Sequence, residues 1–177
     1  MKTARNLNLQ LDELNLLNLR VLITDKTFLE AIFQKSNVNL DENRRFSPPK
    51  YPKSEQDRLQ LLRALEGQFM TQNLNNQAMQ NIIDSCCEMT FSAGQNIITQ
   101  GEQGNSYYIL KQGKCQVVIK APGKEFKSKE ISTGEGFGEI ALLYNEKRSA
   151  TVRALSETKV WALDGEIFKK IIVHAVL

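Results

Sequence analysis

The sequence predicts an α+β fold, in which an antiparallel, jelly-roll-like β-barrel of about eight strands follows N-terminal helices and precedes a C-terminal helix. Before about residue 88, apolar residues recur mainly at helical spacing. After it, short β-type runs are broken by glycines. Strands this short at such regular spacing are typical of a closed or nearly closed antiparallel barrel. The predicted order is therefore helices, barrel, helix.

The length and charge of the chain fit one globular domain with an appendage. With 177 residues, of which 41% are hydrophobic, the chain can form a core. Its patterns divide it into an N-terminal helical, leucine-rich segment (1–36), a linker (37–53) and a domain (54–177). A net charge of +3, without a dense Lys/Arg run interleaved with aromatics, does not indicate a nucleic-acid partner.

Cysteine usage and hydropathy indicate in which cellular compartment we expect the protein. The three cysteines, Cys86, Cys87 and Cys115, have no CxxC spacing and favour neither a disulfide framework nor a zinc site. No apolar run reaches the roughly 18 residues of a membrane span. Asparagines and charges interrupt the N-terminal leucines, unlike a secretion signal. We expect a cytoplasmic protein with reduced thiols, no membrane contact, no metal and no cofactor.

The N-terminal segment has an ambiguous period. The leucines at 7, 11 and 14 fit a heptad seam, but those at 7, 9 and 11 alternate equally well as a strand. A clearer helix follows, with a candidate capping box formed by Thr27 and Glu30. Two interpretations stay open: a homodimer through residues 6–36, or an element packed on its own domain.

The linker carries a short basic motif. Prolines at 48, 49 and 52 disfavour a helix here. Ahead of them, Arg44, Arg45, Phe46 and Ser47 place two arginines three and two residues before a serine. This is the recognition pattern of basophilic protein kinases, whose acidic clefts bind guanidinium groups. The segment is either an inhibitor-like kinase-recognition motif or a solvated linker.

Two helices are predicted between the linker and the barrel. The first covers residues 54–66, with Ser54 as its N-cap, and the second covers about 75–85. Leucine spacing predicts that Leu59, Leu62 and Leu65 form the inward face of the first helix. The inward residues predicted for the second helix are Ala78, Met79, Ile82 and Ile83.

Seven β-type runs are predicted beyond residue 88. They are residues 89–91, 96–99, 107–111, 115–120, 127–131, 150–155 and 159–164. A final helix is predicted from about Gly165 to Val176. Its apolar residues at helical spacing are Ile167, Phe168, Ile171 and Ile172.

The most informative segment is Phe137–Val152, FGEIALLYNEKRSATV. Glycines at 134, 136 and 138 allow a sharp bend and leave amide N–H groups unpaired at the start of a short helix, where anions are attracted. The carboxylate of Glu139 can accept hydroxyl hydrogen bonds, and the fork of Arg148 can bind two phosphate oxygens. The segment therefore offers partners for both ends of a ribose phosphate, unless these two side chains merely pair with each other on a barrel rim.

At these residues the chain resembles the cyclic nucleotide-binding domain family, and Phe137–Val152 is similar to its phosphate-binding cassette. The resemblance extends from about Ser54 to the C-terminus and is nearest to the regulatory domains of cAMP- and cGMP-dependent protein kinases. Residues outside the cassette that support it are 101–105, Tyr107–Leu110, Gly113 and Trp161–Asp164.

The resemblance implies roles for individual residues of the cassette. Arg148 would bind the exocyclic phosphate oxygens, and Glu139 would bind the ribose 2′-hydroxyl. The backbone amides at the helix start would add neutral donors. The residues expected to contact the cyclic nucleotide are Gly138, Glu139, Ile140, Ala141, Arg148 and Ser149.

The resemblance also implies a kinase partner. In regulatory subunits of cAMP-dependent kinase, an Arg-Arg-x-Ser or Arg-Arg-x-Ala segment ahead of the nucleotide domain blocks the cleft of the catalytic subunit, and residues 44–47 would do so here. This motif favours cAMP. The hydroxyl of Ser149 favours cGMP, because such a hydroxyl can hydrogen-bond the guanine 2-amino group in cGMP-dependent kinases. The choice between cAMP and cGMP stays open.

The sequence predicts a sensor without catalysis. It contains no HRD loop, DFG motif or P-loop lysine, and its single histidine, His174, offers no histidine-based catalytic set. We expect the nucleotide to draw the cassette inward, to repack Ile140, Leu142 and Leu143 against the C-terminal helix, and so to release a kinase partner. The alternative is a structural or docking module that keeps the barrel without binding. Related regulators usually carry two tandem nucleotide domains, so we expect the chain to be a fragment, a truncated gene model or a single-domain protein.

Overall fold

The computed structural model describes residues 46–68, 70–71, 74–140 and 146–176. Within these ranges the helices are α1 (Glu55–Glu66), α2 (Asn76–Ser85) and α3 (Gly165–Val176), and none of them is long and apolar enough to cross a membrane. The predictions for residues 1–36, and for Arg44 and Arg45, lie outside the described residues. The strands β1 to β8, in chain order, are Cys87–Phe91, Asn96–Ile98, Ser106–Gln112, Cys115–Ala121, Lys124–Ile131, Gly136–Phe137, Thr151–Ala154 and Thr158–Asp164.

Side-chain caps explain where α1 and α2 begin. The Ser54 hydroxyl oxygen accepts a hydrogen bond from the Asp57 backbone N–H at 3.1 Å. The Asn75 amide oxygen accepts one from the Ala78 N–H at 2.8 Å. Each bond satisfies a donor that has no partner within its own helix. The predicted helices over 54–66 and 75–85 are confirmed.

The predicted inward face of α1 is partly wrong. Leu61, Ala64 and Leu65 are the buried residues of this helix, whereas Leu59 is 44% exposed. A helix turns about 100° per residue, so Leu59 points roughly opposite to Leu61. The helix packs through the stripe centred on Leu61 and Leu65, and regular spacing of leucines alone did not reveal which stripe that would be.

The strands form two four-stranded antiparallel sheets. Sheet I has the order β1-β8-β3-β6, and sheet II has the order β2-β7-β4-β5. The predicted jelly-roll-like architecture of about eight antiparallel strands is confirmed. Among the described strands, only β6 was not predicted, because it has two residues; it pairs with β3 through Tyr108–Phe137 and Ile109–Gly136.

Sheet I separates two apolar cores. Alternation along β3 turns Tyr107 and Ile109 towards the helices and Leu110 towards sheet II. Likewise, Trp161 of β8 faces the helices and Val160 faces sheet II. The helix core also contains Leu61, Leu65, Ile82, Ile83, Phe168 and Ile171. The core between the sheets also contains Ile97, Ile98, Cys115, Ile131, Phe137 and Val152.

One loop connects the start of α3 with the segment around Arg148. We call residues 101–105 the glycine loop. Its Asn105 carbonyl accepts a hydrogen bond from the N–H of Gly165, the first residue of α3, at 2.6 Å. Its Glu102 carbonyl accepts one from the Arg148 N–H at 2.8 Å, and the Gly101 N–H donates to the Arg148 carbonyl at 2.8 Å. These backbone hydrogen bonds therefore connect Arg148 with α3, so that a displacement of the backbone at Arg148 also acts on the start of α3.

Candidate ligand-binding site

Arg148 occupies a narrow slot between two glycines. A Cβ atom at Gly104 would lie 2.1 Å from Arg148 Nε, and one at Gly138 would lie 2.6 Å from Arg148 Nη1. Gly138 also has a φ of +81°, which L side chains rarely adopt. A side chain at either position would displace the guanidinium, so the slot requires both glycines.

Two backbone carbonyls orient the guanidinium. Arg148 Nη1 donates to the Gly138 carbonyl at 3.1 Å, and Nη2 donates to the Ser106 carbonyl at 2.6 Å. A guanidinium has five N–H donors in a rigid, planar fork. These two bonds fix the plane of the fork and engage only part of its donor capacity among the described residues.

Arg148 is half-buried next to aromatic rings. Its Cζ lies 5.9 Å from the ring centroid of Tyr108, and that ring stacks on Phe137 with centroids 5.5 Å apart. Burial lowers the pKa of Arg148, and Tyr108 and Glu139 act in the opposite direction. Because the pKa of arginine is ordinarily above about 12, the group stays a cation at neutral pH. A partly desolvated cation attracts an anion more strongly than one in bulk water.

Glu139 and Arg148 line the same cavity, which has a volume of about 140 Å³. Both side chains are half-buried. None of the ion pairs among the described residues joins these two groups. The carboxylate and the guanidinium therefore border one space without a direct ion pair between them. Apolar walls of the cavity come from Ile98, Val117, Phe137, Ile140, Ala150 and Val152.

The cavity gathers most of the predicted contact residues. Ala141 lies outside the described residues, as do Leu142 and Leu143, which were predicted to repack against α3. Ser149 is exposed at the cavity wall. The other predicted contacts that line the cavity are Gly138, Glu139, Ile140 and Arg148. Their roles towards a ligand stay predictions.

Sequence patterns did not identify the residues that hold Arg148 in its slot. Gly104, Ser106 and Tyr108 each contact or confine its guanidinium. The glycine loop and the strand after it supported the family resemblance, but no contact with the arginine was inferred from them. Ser106 lies 42 residues before Arg148, a separation at which no local pattern indicates a contact.

Residues 46–53, here called the strap, lie along the C-terminal end of α2. The Tyr51 N–H donates to the Asp84 carbonyl at 2.9 Å, and the Ser85 hydroxyl donates to the Pro49 carbonyl at 3.0 Å. The Lys53 ammonium donates to the same Asp84 carbonyl at 3.1 Å. Three hydrogen bonds therefore fix the strap to the helix.

The strap contains the described half of the inhibitor-like motif. Phe46 is half-buried and packs against the helix core, with Lys170 Nζ of α3 5.7 Å from its ring centroid. Ser47 is exposed. Phe46 therefore anchors the motif beside α3, and Ser47 is open to solvent.

Comparison with known proteins places this architecture in a family. Residues 88–174 match the family model described as the cyclic nucleotide-binding domain. The cAMP-dependent protein kinase regulatory subunit of Blastocladiella emersonii is 32% identical over 123 residues, which are 69% of this chain and 30% of that protein. The chain thus spans less than a third of this relative.

Solved structures with a similar fold include regulatory subunits of protein kinase A. The cAMP-bound PfPKA-R (141–441) is 34% identical, with a TM-score of 0.68 over 73% of this chain and 46% of that one. The regulatory subunit of a cAMP-independent protein kinase A from Trypanosoma brucei has a TM-score of 0.64 at 20% identity, over 77% of this chain and 48% of that one. At that identity the likeness shows the fold alone.

Proposed function

Because this chain belongs, through residues 88–174, to the cyclic nucleotide-binding domain family, we propose that it is a cyclic nucleotide sensor that regulates a protein kinase. The observation that carries the proposal is the position of Arg148 in its slot. Its cationic fork is fixed between two glycines at a cavity that it shares with the carboxylate of Glu139, and no ion pair among the described residues joins the two groups. A small anion that also carries a hydroxyl group matches this pair.

Each end of the pair has a chemical counterpart in the ligand. A 3′,5′-cyclic phosphate carries one negative charge, and the remaining donors of Arg148 bind its exocyclic oxygens. Glu139 accepts a hydrogen bond from the 2′-hydroxyl, because an ionised carboxylate can only accept. The amides of Gly138, Ile140 and Ala141 add neutral donors to the phosphate. Ser149 lies beside the arginine and contacts the phosphate or the base.

The link between ligand and helix runs through the glycine loop. A bound phosphate engages the second N–H donor of Arg148 Nη2, whose first donor holds the Ser106 carbonyl at 2.6 Å, so the phosphate pulls on this part of the chain through Arg148. The neighbouring Asn105 carbonyl holds the first N–H of α3 at 2.6 Å. A nucleotide that binds one arrangement of the glycine loop more tightly than another therefore also shifts the position of α3.

Direct titration tests nucleotide binding. Isothermal titration of the full chain with cAMP and with cGMP should give saturable heat, with one nucleotide per chain. 5′-AMP, which lacks the cyclic phosphate, serves as the control ligand and should bind more weakly. Absence of heat with both cyclic nucleotides would instead support the structural or docking module.

We propose cAMP as the preferred nucleotide. Two similar proteins with more than 30% identity, the regulatory subunit of Blastocladiella emersonii and PfPKA-R, are named for cAMP. Competition between cAMP and cGMP for the wild-type chain tests this preference, and tighter binding of cGMP would contradict it. Ser149→Ala then tests the role of the Ser149 hydroxyl, which would hydrogen-bond guanine rather than adenine. A neutral hydrogen bond contributes about 0.5–1.5 kcal/mol, which corresponds to about 2–10-fold in affinity. Competition binding should show such a loss for cGMP and none for cAMP; equal losses would contradict this role.

We propose that the inhibitor-like motif makes the kinase contact. Without nucleotide, the full chain should inhibit the catalytic subunit of a cAMP-dependent kinase in a peptide phosphorylation assay, and cAMP should relieve the inhibition. Arg45→Ala should weaken inhibition about tenfold or more, because the cleft loses a charge-assisted anchor. Lys50→Ala, an exposed position on the same strap, is the matched control. Equal inhibition by the Arg45→Ala protein would exclude the motif as the contact.

A further inference from the structure

The buried hydroxyl of Tyr107 has no hydrogen-bond partner within the described ranges. Tyr107 is 1% exposed, and its hydroxyl is one of two buried side-chain polar atoms that lack a hydrogen-bond partner among the described residues. Buried polar groups are almost always hydrogen-bonded, so each exception requires an explanation. Phenylalanine would fill the same helix core with the same ring. Packing therefore explains the ring of Tyr107 and leaves the oxygen unexplained.

Gly136 leaves the space that the Tyr107 hydroxyl oxygen occupies. A Cβ atom at Gly136 would lie 1.7 Å from the Tyr107 hydroxyl oxygen. The φ of Gly136 is not among the positive values of this chain, so the backbone conformation does not require glycine there. Gly136 is required by the close approach of the hydroxyl. Tyr107 and Gly136 thus together accommodate an oxygen that has no hydrogen-bond partner in the part of the chain that the structure describes.

The position of the hydroxyl connects it with the cassette. Gly136 begins the two-residue strand β6 and lies three residues before Glu139. Burial raises the pKa of Tyr107, and the charge of Glu139 raises it further. A carboxylate has about four acceptor sites and gives the ribose hydroxyl only part of them. Glu139 therefore retains capacity for a second donor.

We propose that Tyr107 is a positioning residue for Glu139, and that its hydroxyl donates a hydrogen bond to the Glu139 carboxylate when the cassette holds a nucleotide. This inference rests on the proposed function. Among the described residues the hydroxyl has no partner, and it becomes paired with Glu139 when the nucleotide binds. The bond orients the carboxylate towards the 2′-hydroxyl. Relief of an unpaired buried donor on binding also shifts the equilibrium towards the bound arrangement.

Tyr107→Phe separates this role from a merely structural one, because its effects on stability and on affinity have opposite signs. Removal of an unpaired buried hydroxyl should raise the Tm of the ligand-free chain by about 2–8 °C. The same change should weaken cAMP binding about tenfold, because a charge-assisted hydrogen bond is lost in the complex. Tyr51→Phe, at an exposed tyrosine, should change neither quantity.

A double-mutant cycle identifies the partner of the hydroxyl. If it acts through Glu139, Tyr107→Phe should cost little further affinity in a Glu139→Gln background. Gly136→Ala supplies a second test of the geometry: it should destabilise the wild-type chain and destabilise the Tyr107→Phe chain less, because the colliding oxygen is gone.

The outcomes are distinguishable. A wild-type chain that binds neither cAMP nor cGMP contradicts the proposed function, and the role of Tyr107 with it. A wild-type chain that binds cAMP while Tyr107→Phe binds equally well contradicts the role of Tyr107 alone. A lower Tm for the ligand-free Tyr107→Phe chain would show that the hydroxyl already has a partner, and would also overturn the proposal.

Discussion

Replacement of Arg148 by lysine should weaken cyclic nucleotide binding about a hundredfold or more. Lysine keeps the charge but lacks the planar fork that binds two oxygens at once. It also cannot hold the carbonyls of Gly138 and Ser106 while it faces the phosphate, as the guanidinium can. A hydrogen bond to a charged partner contributes about 1.5–3 kcal/mol. Loss of two such bonds corresponds to at least about two orders of magnitude in Kd.

Isothermal titration with cAMP measures this loss, after thermal unfolding has established that the variant folds. Arg153→Lys is the matched control, because Arg153 lies on β7, donates to Asn96 Oδ1 at 3.1 Å and pairs with Glu125 at 3.6 Å. A solvent-exposed ion pair contributes little, so this variant should bind like the wild type. An Arg148→Lys chain with unchanged affinity would show that the fork does not bind the phosphate.

Alanine at position 104 should weaken binding about tenfold to a hundredfold, although Gly104 makes no contact with the ligand in this account. The new Cβ atom would lie 2.1 Å from Arg148 Nε and 2.4 Å from its Cζ, so the guanidinium must leave its slot. Gly104 does not have a positive φ, so the backbone tolerates alanine. The substitution therefore acts on the side chain of Arg148. Its displacement breaks the bonds to Ser106 and Gly138 that orient the fork.

Gly67→Ala is the control for this experiment. Gly67 follows α1, its φ is ordinary and nothing lies within 4 Å of a Cβ atom there. We expect this variant to keep the wild-type affinity for cAMP, measured by the same titration. Wild-type affinity in the Gly104→Ala chain would mean that Arg148 can bind the ligand from outside the slot, and that the glycines do not position it.

Features that depend on neighbouring residues could be predicted from the sequence. The caps of α1 and α2 involve bonds between residues three positions apart, Ser54 to Asp57 and Asn75 to Ala78. Strand runs were recognised because alternation and turn glycines are local signals. β6 was missed because two residues are too few to show a period. The ordered pattern of Phe137–Val152 indicated the family for the same local reason.

Features that depend on distant residues could not be predicted in this way. The leucines of α1 were compatible with more than one inward face, and only packing against other elements made Leu61 buried and Leu59 exposed. The slot of Arg148 depends on Gly104 and Ser106, which lie about forty residues earlier in the chain. The fit of Gly136 to the Tyr107 hydroxyl likewise follows from the pairing of β3 with β6.

A crystal structure of this chain with cAMP would decide whether Arg148 and Glu139 form the nucleotide site. We predict that the Arg148 guanidinium lies about 2.7–2.9 Å from the exocyclic phosphate oxygens, and that a Glu139 carboxylate oxygen accepts a hydrogen bond from the ribose 2′-hydroxyl. A nucleotide bound elsewhere on the chain, or bound in this cavity without contact to either side chain, would contradict the account.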